Sequence, residues 1–330
     1  MSEPTYSLVI PIYNEEAALP ALFERVEQLL DALDGPAEVL LVDDGSSDGS
    51  WDAMSELAEK DERFKLVRLS RNFGHQLAIT AGLDLACGEA TVVMDADLQD
   101  PPEVVLEMAR RWREGYDVVY GVRDEREGET RFKQMTASAF YRLFSRMTDV
   151  DVPLDVGDFR LVDRRALDAF RTMRENNRYV RGMFGWIGFR QTGVAYRREA
   201  RVAGTTKYPL RRMLHFATDG IVSFSTAPLR FALNIGFIVS GLAFLFGIAA
   251  LVAKIAGLYS VSGLASLVVL TAFLGGVQLV VLGVMGEYIG RIHEEVKGRP
   301  LYLVRELQGF GGEERPAAYR GFVREPDERG

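Results

Sequence analysis

The run Met94–Pro102, MDADLQDPP, ends an apolar stretch (ATVV) with two aspartates two positions apart, then Gln99, Asp100 and two prolines. A carboxylate at the end of a buried strand is costly to hold unless something pairs with it. Side chains two apart on an extended strand face the same side, so Asp95 and Asp97 share a direction. Past the strand end, the same spacing lets one or both reach a single hard cation. Mg2+ and Mn2+ take oxygen ligands, typically one or two carboxylates, with the rest from water and substrate phosphate. The pair therefore suits an ion clamped onto a diphosphate, with the Gln99 carboxamide as a further neutral oxygen. A turn cap is the competing role for either aspartate. For Asp100 the cap is expected: Asp-Pro-Pro-Glu places it at a helix N-cap, with Pro101 in the first turn and Glu103 completing a capping box.

These residues need a frame. Tyr6–Ile12, AEVLLV, FKLVRL, ATVVM and DVVYGVR read as strands. Helices are expected over Glu15–Leu33, around Trp51–Leu57, after RNFGH and over PPEVVLEMARRWREG, with Gly stops between. Strands alternating with helices at this pitch predict an α/β fold, a mostly parallel sheet covered on both faces. Ligands bind beyond the carboxyl ends of such strands. Polar clusters stand there in turn: YNEE, DDGSSD, RNFGH, DADLQ and GVRDER. No GxGxxG follows the first strand and no GxxxxGK[ST] occurs, so this is not a dinucleotide site of the usual kind.

Composition narrows the class further. A formal net charge of −8 gives no footing for a nucleic-acid partner. The single cysteine, Cys87, excludes an internal disulfide, and His75, His215 and His293 are too scattered to suggest a cluster. The N-terminus lacks the basic start of a signal peptide. Phe231–Ala253 and Ile255–Gly286 contain no charged residue. As a helix the first spans about 35 Å, enough for a hydrocarbon core of about 30 Å. The second helix is expected to begin near Leu264, after the turn-like LYSVSG. Arg211, Arg212 and Arg230 precede the pair and Arg291, Lys297 and Arg299 follow it, whereas the connection offers only Lys254. The positive-inside rule then places both flanks, and the N-terminal domain, in the cytoplasm.

The segments PIYNEE, VDDGSSDGS, SRNFGHQLA, MDADLQDPP, GDFRLVDR, RYVRGMFGWIGF, AGTTKYPL and GEYIGRIHEEVKGRPLY together resemble the inverting family 2 glycosyltransferases that load a sugar onto a polyprenyl-phosphate carrier. The bactoprenol glucosyltransferase branch matches best; dolichol-phosphate mannose synthases are more distant. The likeness runs from about Ser7 to Val304. DDGS and DxD are shared by many sugar transferases, whereas GDFRL with RGMFGWIGF, KYPL and a terminal GRPLY is far more specific.

The resemblance implies a GT-A fold, a nucleoside-diphosphate sugar donor, a polyprenyl-phosphate lipid acceptor, and transfer with inversion that depends on Mg2+ or Mn2+. UDP-glucose and undecaprenyl phosphate are favoured, with GDP-mannose as the alternative donor. Pro11, Tyr13 and Glu15 match the first donor-binding loop, Asp43 or Asp44 the group that contacts the nucleoside, and Asp95, Ala96, Asp97 and Gln99 the diphosphate and metal segment. Arg123, Arg131, Arg201 and Lys207 match basic positions around the phosphates, the last three on the acceptor side, and Asp158 matches the acidic residue at the sugar end. Thr206 stands where many relatives have Ser, and both carry a hydroxyl.

The chemistry is consistent with these roles. Displacement at the anomeric carbon builds charge on the departing diphosphate, which a cation and Lys/Arg donors stabilise most in the transition state. A phosphate monoester, with its second pKa near about 6, is already largely ionised at neutral pH. Asp158 is then not needed to remove a proton; binding sugar hydroxyls or orienting Arg160 and nearby basic groups is preferred, with a base role left open. Arg181 joins the same basic set.

The expected organisation is a cytoplasmic catalytic domain over 1–206, a juxtamembrane amphipathic helix over 207–228, two transmembrane helices within 229–288 (231–253 and 264–286), and a helix, short strand and disordered tail over 289–330. A second amphipathic helix is expected over Glu129–Met147, and RPLYLV is expected to pair with an edge strand, in this chain or a neighbour. A multi-pass inner-membrane location follows, and a homo-oligomer, with a tetramer as one form, is expected. Two rivals stand beside transfer to a lipid. A polymer-extending synthase normally carries QxxRW and more spans. A membrane-anchored nucleotide-sugar binding or flipping partner would have no need of a leaving-group clamp.

Overall fold

The computed structural model describes residues 4–123, 156–199, 225–256 and 264–310. They fall into two compact units, one of residues 4–123, 156–199 and 300–310, the other of 225–256 and 264–299.

The first unit is built on strands β1 (Tyr6–Ile12), β2 (Ala37–Asp43), β3 (Phe64–Leu69), β4 (Ala90–Val93), β5 (Val118–Arg123), β6 (Val156–Asp163), β7 (Gln191–Tyr196) and β8 (Val304–Gln308). Its helices are α1 (Leu19–Ala32), α2 (Ser50–Lys60), α3 (His75–Leu85), α4 (Val104–Arg113), α5 (Arg164–Thr172) and α6 (Val180–Trp186). The strands form one sheet in the order β7-β5-β6-β4-β1-β2-β3-β8. Every residue of β1 and β4 is buried, because helices cover both faces and leave no side of these strands for water. Leu22, Val26 and Leu29 of α1 and Met54 and Leu57 of α2 join Leu8, Ile10 and Leu41 in one core.

Four pairings are parallel (β1–β2, β1–β4, β2–β3, β5–β7), as strand–helix alternation requires. Three are antiparallel (β3–β8, β4–β6, β5–β6), so the sheet is mixed. The antiparallel members are the GDFRL segment and the C-terminal strand, which strand–helix alternation does not reveal. Register makes β6 matter. Val93 pairs with Arg160. Asp95 lies two residues beyond Val93, and Asp158 two residues before Arg160. An antiparallel partner therefore starts where its neighbour ends, and Asp158 joins the parallel strand ends.

The expected edge pairing of RPLYLV forms within the chain and starts later, at Val304, against β3. Leu301 and Tyr302 precede it, both buried, and the Tyr302 hydroxyl donates to Asp84 at 2.7 Å.

The second unit contains α7 (Ala227–Ile255) and α8 (Leu264–Val296). The 18-residue windows that make them long and apolar enough to cross a membrane have no residue buried in the chain. Leu264 is the expected start, and the helix expected after the second span continues it past Gly286 to Val296. The Tyr288 hydroxyl donates to the Ser225 carbonyl at 2.8 Å, tying α8 to the start of α7. The expected helix over 129–147, residues 207–224 of the one expected over 207–228, and the residues from 311 lie outside the described residues; Ala227 and Pro228, the end of that expected segment, instead begin α7.

Candidate active site

The loops after β1 and β2 are laced together through their own backbones. Asn14 sits at φ 54°, and its side-chain oxygen accepts from Ser47 N at 2.8 Å while its N–H donates to Ser46 Oγ at 3.0 Å. Glu15 N donates to Ser50 Oγ, and Gly49 N to Glu16 Oε2. Pro11 is buried in β1, whereas Tyr13 at the loop tip is 48% exposed.

The two adjacent aspartates part company here. Asp44 accepts from Phe73 N at 2.7 Å and Gly74 N at 2.9 Å, so both its oxygens hold the loop that enters α3. Burial pushes its carboxyl up, and the two N–H donors only partly offset this. Asp43 accepts from Ser46 N through Oδ1, while its buried Oδ2 has no hydrogen-bond donor and faces Arg68 Nε at 3.4 Å. Asp43 is thus the member with an oxygen that lacks a hydrogen bond and is held by the Arg68 charge alone.

Gly74 adopts φ +102°, a conformation a side chain would resist, and delivers His75 as the first residue of α3. Its Nε2 stands 3.3 Å from Asp95 Oδ1 and 3.5 Å from Asp158 Oδ2. The next residue, Gln76, donates to Asp158 Oδ2 at 3.1 Å and accepts from Val180 N at 2.9 Å, joining α3 to β6 and α6.

Beyond β4, Met94 N donates to Val9 O, keeping the chain in register as far as Asp95. Asp97 Oδ1 accepts from Gln99 N at 3.1 Å across a turn in which buried Leu98 takes φ 54°. Gln99 O in turn accepts from Glu199 N at 2.9 Å. The Asp95 carboxyl is pushed up to about 6, chiefly by burial and also by the Asp158, Asp100 and Asp97 charges, with His75 pulling the other way. Its buried Oδ1 has no made hydrogen bond.

That orphaned oxygen fits a cation. Among the described residues no group of three or more His, Cys, Asp or Glu is placed to enclose a metal unaided. The oxygen suits Mg2+ or Mn2+, which take one or two carboxylates and complete their shell with water and phosphate.

Asp158 is buried at 3% exposure and is clamped by Arg181, with Nε and Nη2 donating at 2.9 and 3.1 Å. Burial alone would raise its carboxyl; His75 and Arg181 more than reverse that and hold it well below the usual range. Arg160, which the sequence suggests as its partner, instead donates to the carbonyls of Asp158 and Gly157 and lies over the Phe184 ring at 4.9 Å. The side-chain partner is Arg181.

Asp100 overturns its expected role. It caps no helix: α4 starts at Val104 without a side-chain cap, and Glu103 pairs with Arg25 at 2.6 Å. The Asp100 carboxylate is 1% exposed and accepts from the Tyr196 hydroxyl at the end of β7. Arg123 Nη2 and Arg198 Nε approach it at 3.9 and 3.8 Å. Long-range charge pairing has won over the local capping pattern. Arg123 also lies so close to Gly157 that a Cβ there would sit 2.8 Å from its Nη2.

The fold thus gathers Pro11, Tyr13, Glu15, Asp43, Asp44, Asp95, Ala96, Asp97, Gln99, Arg123 and Asp158 at the strand ends of one sheet. Arg131, Arg201 and Lys207 lie outside the described residues. Sequence reasoning missed His75, Gln76 and Tyr196 and misassigned Asp100. The histidines are scattered along the chain, but His75 alone follows a Gly at a strand end, and that position was the available signal.

Comparisons with known proteins bear on the family of the chain. Residues 7–171 match Glycosyl transferase family 2. The chain is 49% identical over 305 residues to an uncharacterized glycosyltransferase, YkcC, of Bacillus subtilis, covering 92% of this chain and 94% of that one. It is 38% identical over 300 residues to the SfII prophage-derived bactoprenol glucosyl transferase of Shigella flexneri, covering 91% and 97%. Among solved structures, S. aureus TarS with UDP-GlcNAc is similar at TM-score 0.44 and 16% identity, with 66% of each chain covered. Glucosyl-3-phosphoglycerate synthase of Mycobacterium tuberculosis is similar at TM-score 0.43 and 18% identity, covering 66% of this chain and 78% of that one. A GT-A-like mixed sheet, acidic loops at its strand ends and extended identity along the chain lead to one assignment: the chain belongs to glycosyltransferase family 2.

Proposed function

We propose that the chain transfers one hexose, with glucose favoured, from a nucleoside-diphosphate sugar, with UDP favoured, to polyprenyl phosphate at the cytoplasmic face of a membrane, inverting the anomeric centre. The observation that carries the lipid acceptor is the extent of likeness to the bactoprenol glucosyl transferase, which covers 91% of this chain and so includes apolar helix sequence. Helices α7 and α8, with Phe237 and Leu279 each 70% exposed, need a hydrocarbon environment that such an acceptor shares. The arginines flanking them support a cytoplasmic catalytic unit.

In this scheme Asp43 contacts the nucleoside, with Tyr13, Glu15 and Pro11 forming the loop beside it. Asp95 and Asp97, with Gln99, would hold Mg2+ or Mn2+, which when bound supplies positive charge against the diphosphate leaving group. Arg123 adds a fixed cation nearby, and Arg131, Arg201 and Lys207 serve the acceptor phosphate. That phosphate is its own nucleophile, being ionised at neutral pH. Asp158, held ionised by Arg181, orients that guanidinium and sugar hydroxyls instead of removing a proton.

The test is a panel of radiolabelled nucleotide sugars offered with undecaprenyl phosphate, with and without EDTA. One lipid-linked product, lost with EDTA and regained with Mg2+ or Mn2+, is expected. No lipid product from any donor would defeat the proposal.

A further inference from the structure

We infer that His75 is a positioning residue: its imidazole ties the cation-facing carboxylate of Asp95 to the buried Asp158–Arg181 pair, and loading of donor and cation hands it over to Asp158 alone. This rests on the proposal that Asp95 holds the cation. The imidazole Nε2 lies 3.3 Å from Asp95 Oδ1 and 3.5 Å from Asp158 Oδ2. Both exceed the roughly 2.9–3.0 Å of a well-made N–H···O bond, so the Nε2 edge stands between two carboxylate oxygens without a made bond to Asp95. Asp95 Oδ1 has no hydrogen bond of its own.

Asp158 does not need His75 to stay in place. Arg181 grips both its oxygens, and Gln76 donates to one of them. What His75 adds is the bridge to Asp95. Its own mounting is rigid: Asp44 fixes the N–H groups of Phe73 and Gly74 immediately before it. The bridge therefore spans three strand ends, linking the aspartate pair after β2, the cation segment after β4 and the sugar-end carboxylate of β6. A cation on Asp95 Oδ1 occupies the lone pairs that the imidazole N–H faces and repels that N–H. The donor then has only Asp158 to turn to, so cation loading is felt at the sugar end of the site.

The ring is 46% exposed, so its removal opens no core cavity and the variant is expected to fold. Full-length protein in detergent, titrated calorimetrically with Mn2+ in the presence of UDP, tests the bridge. His75→Ala should weaken Mn2+ binding by about tenfold, the scale of lost support behind a metal ligand, with an unchanged melting temperature. His75→Gln, which keeps an N–H donor at similar reach, should restore most of that loss. In 15N-histidine-labelled protein, the imidazole resonance that His75→Gln removes should move on adding Mg2+ with UDP. Wild-type Mn2+ affinity in His75→Ala, an unmoved resonance, or a His75→Gln no better than His75→Ala would each overturn the inference while leaving the cation at Asp95 standing. Absence of Mn2+ binding to the wild type would overturn both.

Discussion

The hydroxyl of Tyr196 donates to Asp100 Oδ1 across 96 residues of sequence, joining the end of β7 to the segment that carries Asp95 and Asp97. The bond makes a carboxylate that looks like a helix cap into a buried anchor for Arg123 and Arg198. The two roles predict different outcomes. Asn caps a helix as well as Asp does, so Asp100→Asn would be silent at an N-cap. Here it removes a charge buried beside two guanidiniums and should cost about 1.5–3 kcal/mol. Tyr196→Phe should cost a similar amount. Denaturant titration of the two variants checks this, and an unchanged midpoint for Asp100→Asn would restore the cap.

Asp97→Ala should lower transfer by at least about a hundredfold, because it removes charge stabilisation made chiefly in the transition state. UDP binding measured without divalent metal should change little. Turnover near the wild-type rate would remove Asp97 from the cation site.

Asp158 gives a pH prediction. Its carboxyl is depressed in the folded state, burial being outweighed by His75 and Arg181. A depressed acid contributes stability that is present above the unfolded pKa and is lost as pH falls below it. The protein should therefore lose stability below the ordinary carboxylate range, about pH 4. Asp158→Asn should flatten that loss, as acid titration followed by circular dichroism would reveal. The rate should fall on the acid side near about pH 6, where the acceptor phosphate takes up its proton. That limb should survive in Asp158→Asn. Its disappearance would remove the acceptor phosphate as the source of that limb.

Residues after α8 belong to the catalytic sheet, so the apolar helices interrupt this unit and do not end it. A chain stopped at Gly298 loses the buried side chains of Leu301, Tyr302, Val304 and Leu307. At about 1.5–3 kcal/mol for each large apolar side chain, the loss rivals a domain's whole stability. Limited proteolysis should find the first unit resistant in the full chain and digested in the truncated one. Equal resistance would show β8 to be dispensable.

Much of the site was legible in sequence because strand ends announce themselves. An apolar run broken by YNEE, DDGSS or DADLQ marks both the strand and its functional end, and a parallel arrangement brings those ends together. Asp43 and Asp44 were legible as a pair but not as individuals, since only the neighbouring backbone shows which carboxylate is consumed by Phe73 and Gly74. His75 was passed over because its partners are 20 and 83 positions away, and nothing local records that distance.

By itself, the sequence determined the alternation of strand and helix, the acidic strand ends and the two long apolar helices, because each is a local pattern of burial and breakers. Only the tertiary structure decided which charges meet. The antiparallel entry of β6 puts Asp158 beside Asp95, and the sheet order brings Tyr196 to Asp100. Charge pairing acts through space, and a buried carboxylate is held by whichever donor the fold brings within reach.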